Sequence, residues 1–119
     1  MKLEFDGFER AKKILSKYLT PTPLVKNEWL SKKYGCEIYL KLENMQPVGS
    51  FKLRGATNMI ANLDPEERKK GVIAVSAGNH AQGMALSGTK LGIQTTIVMP
   101  KTTPDIKVEA VKGFGGQVI

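Results

Sequence analysis

The 119-residue chain is poor in the residues that most often announce a chemistry. Cys36 is its one cysteine, so no internal disulfide can form, and a single thiol fits a reducing compartment such as the cytoplasm. His80 is its one histidine, which excludes a multi-histidine metal site and sets aside a histidine-based triad. No metal is expected. No apolar run approaches the length of a membrane span. The opening Met1-Lys2-Leu3-Glu4-Phe5-Asp6 has acids early and no apolar h-region, so it does not read as a secretory signal. Internal repeats and low-complexity tracts are missing too. Aromatics make up 7% of the chain and do not alternate with basic residues as a base-stacking surface would require. The net charge of +7 therefore does not point to nucleic acid. The basic residues are spread out and often adjoin acids, as in Glu66-Glu67-Arg68-Lys69-Lys70, which reads as solvated surface.

What is present is a run of alternating helix and strand signals. Asp6-Gly7-Phe8-Glu9 has the form of a capping box. Phe8, Ala11, Ile14, Leu15 and Tyr18 follow at helical spacing, predicting a helix that ends near Tyr18. Thr20-Pro21-Thr22-Pro23 forbids helix and predicts an extended link. Asn27 is placed to cap a second helix to Tyr34, with Gly35 as its stop. Ile38, Leu40 and Leu42 alternate within a predicted strand from Glu37 to Glu43. Leu53, Ala56, Ile60 and Leu63 share one helix face, with Ser50 as the expected N-cap. Asp64-Pro65-Glu66-Glu67 starts a short helix that Gly71 stops.

From Val72 onward the pattern is β-α-β-α-β. It comprises a strand at Val72–Val75, a helix from Asn79 to Leu91 closed by Gly92, and a strand at Ile93–Met99. A helix from Asp105 to Lys112 with Gly113 after it and a strand from Gly116 follow. Connections of this length imply a parallel sheet with right-handed crossovers. The expected fold class is α/β. The chain stops inside an apolar strand, and it is expected to be a piece of a longer protein.

Two segments could carry chemistry. In Pro47-Val48-Gly49-Ser50-Phe51-Lys52-Leu53-Arg54-Gly55-Ala56, a lysine falls in the first turn of a helix. There the positive end of the dipole favours the neutral amine, the form that attacks aldehydes. A solvated surface lysine is the alternative. In Ser76-Ala77-Gly78-Asn79-His80, a glycine-containing loop joins the end of a strand to a helix start. Free N–H groups accept carboxylates at such a place. A plain βα turn capped by Asn79 is the alternative. Lys41 and Glu43 read first as a sheet-face ion pair. Arg54 reads either as a phosphate partner or as a structural residue. Ala81, Ala85 and Gly88 form a small-residue stripe suited to close helix packing.

Ser50-Phe51-Lys52-Leu53-Arg54-Gly55-Ala56 and Ser76-Ala77-Gly78-Asn79-His80-Ala81-Gln82-Gly83 resemble the two signature blocks of one family. It is the threonine dehydratase and serine racemase branch of fold-type II pyridoxal-phosphate (PLP) enzymes, which share the tryptophan synthase β-like fold. The order and separation of the blocks agree, and the resemblance runs from about Leu19 to Ile119. It implies that Lys52 holds PLP as a Schiff base and then takes the substrate Cα proton. It also implies that Phe51 packs beside the cofactor ring and that Asn79 hydrogen-bonds the ring's 3′-oxygen. Ser76, Gly78, Asn79 and His80 would grip the substrate carboxylate.

The implied reaction is dehydration of threonine to 2-oxobutyrate, or of serine to pyruvate, with release of ammonia, in amino-acid metabolism such as isoleucine biosynthesis. Racemases of the branch tend to carry a serine where this chain has Ala77, and alanine cannot transfer a proton. That favours dehydratase over racemase. Cysteine synthases have an aspartate after the lysine, where Leu53 stands. The resemblance further implies residues 1–70 as part of the large PLP domain and 71–119 as the start of the smaller βαβ domain. It implies a homo-oligomer when intact. The family's glycine-rich phosphate loop is absent, so the piece alone is expected to be inactive. A non-catalytic chain that binds a partner or a small anion is the remaining alternative.

Overall fold

The computed structural model describes residues 4–119. Met1-Lys2-Leu3, part of the opening read above for a signal sequence, lies outside the described residues. The elements are α1 (Phe5–Leu15), β1 (Leu24–Lys26), α2 (Glu28–Tyr34), β2 (Tyr39–Lys41) and a 3-10 turn at Glu43–Met45. They continue with α3 (Lys52–Ala61), α4 (Pro65–Lys70), β3 (Val72–Val75), α5 (Asn79–Leu91), β4 (Thr95–Val98), α6 (Asp105–Gly113) and β5 (Gln117–Val118).

The first part of the chain is a helix followed by a small antiparallel ribbon. The capping box expected at Asp6 does not form, because α1 already begins at Phe5. Asp6 instead sits in the first turn, where its charge complements the helix dipole. The helix stops at Leu15 rather than at Tyr18. Lys17 and Tyr18 donate to carbonyls three residues back, which tightens the last turn. β1 and β2 pair with Val25 opposite Leu40. β1 is three residues long, too short for alternation to mark it, and β2 is correspondingly shorter than the strand expected from Glu37 to Glu43. Between them, Asn27 caps α2 by accepting from the Leu30 N–H at 2.8 Å, and Gly35 ends it at φ 67°. Asp64 and Glu67 form the capping box of α4.

The second part is the expected parallel sheet, in the order β3-β4-β5, with Val72 opposite Thr95 and Ile97 opposite Val118. Gly113 is the last residue of α6 rather than its stop, and the chain turns at Gly115, φ 87°. One core joins Ala56 and Ile60 of α3 to Ala81, Met84 and Ala85 of α5, to Ile93, Ile97 and Met99 around β4, and to Val111 of α6. Fully burying one such large aliphatic side chain contributes about 1.5–3 kcal/mol. α3 thus shares the core of the βαβ unit, and this fixes where Lys52 lies. The opposite sheet surface is uncovered: Ile73 and Val75 are 68% and 78% exposed. The radius of gyration, 16.6 Å, exceeds the roughly 13.5 Å of a compact domain of this length.

Candidate active site

The segment before Lys52 is an ordered loop. Gln46, Val48 and Ser50 are buried, and Pro47, Gly49, Phe51 and Lys52 face outward. Gly49 takes the left-handed conformation, φ 67°, and donates to the Gln46 carbonyl at 2.7 Å. Ser50 does not cap α3. Phe51 occupies the N-cap position without a side-chain bond, and the Ser50 hydroxyl is buried with no partner among the described residues. Phe51 is itself already helical at φ −64°, ψ −13° and carries no side-chain acceptor for the first-turn N–H groups. Lys52 is therefore the first residue of α3, with its amine 5.1 Å from the centre of the exposed Phe51 ring.

Ser76, Ala77 and Gly78 form the loop at the carboxyl end of β3. The Ser76 N–H donates to the Val98 carbonyl at 3.2 Å, and the Ser76 hydroxyl accepts from the Gly78 N–H at 3.3 Å. Gly78 is the N-cap of α5, so Asn79 is its first helical residue rather than its cap. Asn79 and His80 are exposed, whereas Ser76, Ala77 and Gly78 are half-buried. A Cβ at Gly78 would meet nothing within 4 Å, so the loop is open on that side.

Close packing of α3 on α5 brings the two segments together. A Cβ at Gly83 would stand 3.2 Å from the Lys52 carbonyl carbon and 3.3 Å from the Leu53 nitrogen. One turn on, the Thr57 and Ser87 hydroxyls meet at 2.8 Å. Both contacts advance about one turn in the same direction along both helices. The helices therefore run side by side with their N-termini at the same end. Asn79 lies one turn before Gly83 on the same helix face. Two positive helix ends, the backbone of Lys52 and the Ser76–His80 loop thus share one corner, at the carboxyl edge of a parallel sheet. An anion is favoured there by dipoles and free N–H groups. The small-residue stripe serves the same packing: Ala81 and Ala85 are fully buried, and Gly88 lies against Thr95 and the Ile93 carbonyl.

Arg54 and Glu43 take the structural role. Arg54 forks onto Glu43 with Nε–Oε2 at 2.8 Å and Nη2–Oε1 at 2.7 Å. Lys41 does not pair with Glu43 across the sheet; its amine donates to the Thr22 carbonyl. The hydrogen bond from Arg54, helped by Thr22 and Gln46 and opposed by burial, lowers the Glu43 pKa from 4.5 to about 2. Glu43 in turn raises that of Arg54. Two concavities lie away from the corner. One is a groove of about 610 Å³ between α1 and α3, and the other a cleft of about 290 Å³ lined by Tyr18, Pro21, Gln46 and Lys90.

Residues 15–119 match the sequence pattern of the family described as pyridoxal-phosphate dependent enzyme. The chain belongs to the pyridoxal-phosphate dependent enzyme family. It is 52% identical over 112 residues to the catabolic L-threonine dehydratase TdcB of Staphylococcus aureus, covering 93% of this chain and 32% of that protein. It is 57% identical over 98 residues to the biosynthetic L-threonine dehydratase IlvA of Pasteurella multocida, covering 82% of this chain and 19% of that protein. The structure of maize serine racemase superposes with a TM-score of 0.91 at 37% identity, over 100% of this chain and 36% of that one. The fold is accordingly the fold-type II arrangement of these PLP enzymes, and PLP is the cofactor of the family. The chain spans about a third of the length of the S. aureus relative.

Three residues of this corner escaped the sequence reading. Gly83 closed the second signature block without a role, although a glycine four residues after Asn79 marks a close backbone approach. Thr57 and Ser87 are polar residues on apolar faces, and each offers a partner for the other only once the helices are paired. Among the described residues, no helix is long and apolar enough to cross a membrane.

Proposed function

We propose that this chain supplies part of a PLP-dependent dehydratase acting on threonine, with serine as second substrate. The observation that carries the reading is the convergence of Lys52 and the Ser76–His80 loop where the N-termini of α3 and α5 meet. The residues present fit the cofactor. An outward amine has an aromatic ring beside it, two positive helix ends favour an anion, and the loop is open at Gly78. In this reading Lys52, Phe51 and Asn79 hold PLP, and Ser76, Gly78, Asn79 and His80 bind the substrate carboxylate. Bound PLP supplies the electron sink for a substrate that loses its Cα proton.

The chain's own part is positional and acid–base. The N–H groups of the loop hold the carboxylate and fix the amino acid against Lys52. The Lys52 amine takes the Cα proton as general base. Loss of the β-hydroxyl as water leaves an enamine, which hydrolyses to 2-oxobutyrate and ammonia from threonine, or to pyruvate and ammonia from serine. Identities of 52% and 57% to two threonine dehydratases support this reaction, and Ala77 favours it over racemisation. The racemase reading keeps one observation in its favour, the TM-score of 0.91. Similarity to a biosynthetic and to a catabolic threonine dehydratase supports a place in amino-acid metabolism, isoleucine biosynthesis being the biosynthetic alternative. A cytoplasmic location and a homo-oligomer belong to the same proposal. So does the division into 1–70 and 71–119, although α3 shares the core of the second part. The uncovered face of Ile73 and Val75 supports further polypeptide packing there, since parallel sheets are covered on both faces.

The test uses the gene product that carries residues 1–119, loaded with PLP. Borohydride reduction and peptide mapping should place phosphopyridoxyl on Lys52, and L-threonine should yield 2-oxobutyrate. D-serine from L-serine, without an oxo acid, would establish the racemase instead. No label on Lys52 and no turnover of either amino acid would overturn the reading.

A further inference from the structure

Glu43 is saturated with donors. Oε1 accepts from the Thr22 hydroxyl at 2.5 Å and from Arg54 Nη2 at 2.7 Å. Oε2 accepts from Arg54 Nε at 2.8 Å and from Gln46 Nε2 at 3.3 Å. The four donors occupy the acceptor capacity of a carboxylate. The Glu43 side chain is 17% exposed and that of Arg54 35%. This is a bidentate, half-buried pair, unlike the exposed Lys26–Glu37 contact, whose side chains are 37% and 68% exposed.

Its position is the informative part. Glu43 opens the 3-10 turn that precedes the Lys52 loop, and Arg54 lies two residues beyond Lys52 in the first turn of α3. The pair therefore closes both ends of the segment that presents the amine. Gln46, itself buried in that segment, bonds to the same carboxylate. Thr22, buried on the link before β1, bonds it from outside. A pair that only anchored α3 could stand anywhere along the helix. We infer that the Glu43–Arg54 pair, seated on Thr22 and Gln46, is a positioning clamp for the Lys52 amine. It holds the loop so that Phe51 and Lys52 face outward at the end of α3 that lies beside α5. Misplacement of a reacting group by 1 Å costs on the order of 10²-fold in rate, so such a clamp matters to chemistry as well as to folding. The inference rests on the dehydratase reading, because it assigns Lys52 the work that needs positioning.

The experiment uses the PLP-loaded gene product with Glu43→Gln, which keeps the shape and loses the charge, and Arg54→Lys, which keeps the charge and loses the fork. Glu37→Gln in the exposed pair is the control. Two quantities are read: the share of borohydride-fixed phosphopyridoxyl found on Lys52, and amide hydrogen exchange along the chain. Both test variants should speed exchange at residues 46–53 by about tenfold more than they speed it in the β3-β4-β5 core. Both should also lower the Lys52 share at least about threefold, and the control should change neither. A Lys52 share equal to that of the unmodified protein, with or without faster exchange, would overturn the clamp and leave the dehydratase reading standing. An unmodified protein without label on Lys52 would overturn both. Should Glu43→Gln fail to fold, Arg54→Lys decides alone.

Discussion

Thr57 Oγ1 and Ser87 Oγ lie 2.8 Å apart with both residues fully buried, where α3 packs along α5. Each hydroxyl is satisfied by the other. The pair sets the register between the helix that carries Lys52 and the helix that follows the Ser76–Gly78 loop. Removing one partner strands the other hydroxyl in the core, at a cost of about 1–3 kcal/mol. Thr57→Val and Ser87→Ala should each destabilise by that amount in urea unfolding, and the double variant by less than their sum. Additive losses would show that the two hydroxyls do not depend on each other.

Two glycines of α5 should respond differently to alanine. At Gly83 the new methyl would stand 3.2 Å from the Lys52 carbonyl carbon, a contact that a shift of a few tenths of an ångström relieves. Alanine also favours helix over glycine by about 1 kcal/mol, so Gly83→Ala should change stability little and chiefly displace Lys52. At Gly88 the methyl would fall 2.4 Å from Thr95 Cγ2 and 2.7 Å from the Ile93 carbonyl oxygen. Overpacking against a backbone carbonyl costs about 1–3 kcal/mol or more, which exceeds the helix gain. Thermal melting should therefore rank Gly88→Ala well below Gly83→Ala. Equal melting temperatures would contradict the packing described.

The alternation from Asp64 to Met99 was legible because each boundary carries its own local chemistry. Asp64-Pro65 opens α4, Gly78 and Gly92 bracket α5, and β-branched residues fill β4. The two signature blocks were equally legible, since their residue types are unusual together. Features that depend on partners distant in sequence were not. Glu43 looks like a partner for Lys41, its neighbour on the strand pattern, until Arg54 is brought round to it from eleven residues away. β1 is defined only by its pairing with β2. Local propensity carried the first group, and tertiary contact decided the second.

Acid should weaken the molecule through Glu43. Its carboxyl is held down at about 2 against an ordinary 4.5, chiefly by the hydrogen bond from Arg54. A lowered acid pKa contributes stability that is fully present above the unfolded value and is lost as pH falls through the folded one. The contribution is on the order of 2 kcal/mol after allowing for the water that reaches Arg54. Stability by urea unfolding should be level in this respect above about pH 6 and should decline between about 4.5 and 2. Glu43→Gln should lower the neutral-pH plateau and flatten that decline. A Glu43→Gln profile parallel to the original would remove Glu43 from the account.

Ala77 offers a change of reaction. It sits half-buried in the loop between β3 and α5, next to Gly78, where added atoms meet open space. The family resemblance implies that racemases tend to carry a serine there, a residue with a transferable proton, whereas a methyl group has none. One added oxygen is a small change for an open loop. A positioned general acid or base is worth about 10²–10⁴-fold in the step it serves. In the PLP-loaded gene product, Ala77→Ser should therefore raise formation of D-serine from L-serine at least about tenfold, read by chiral chromatography. In the proposed reading Lys52, on the other helix, serves the dehydration, so 2-oxobutyrate formation from threonine should persist. D-serine at the level of the unmodified protein would mean that this loop does not face the second side of the substrate, and the placement of Ser76, Gly78, Asn79 and His80 around its carboxylate would fall with it.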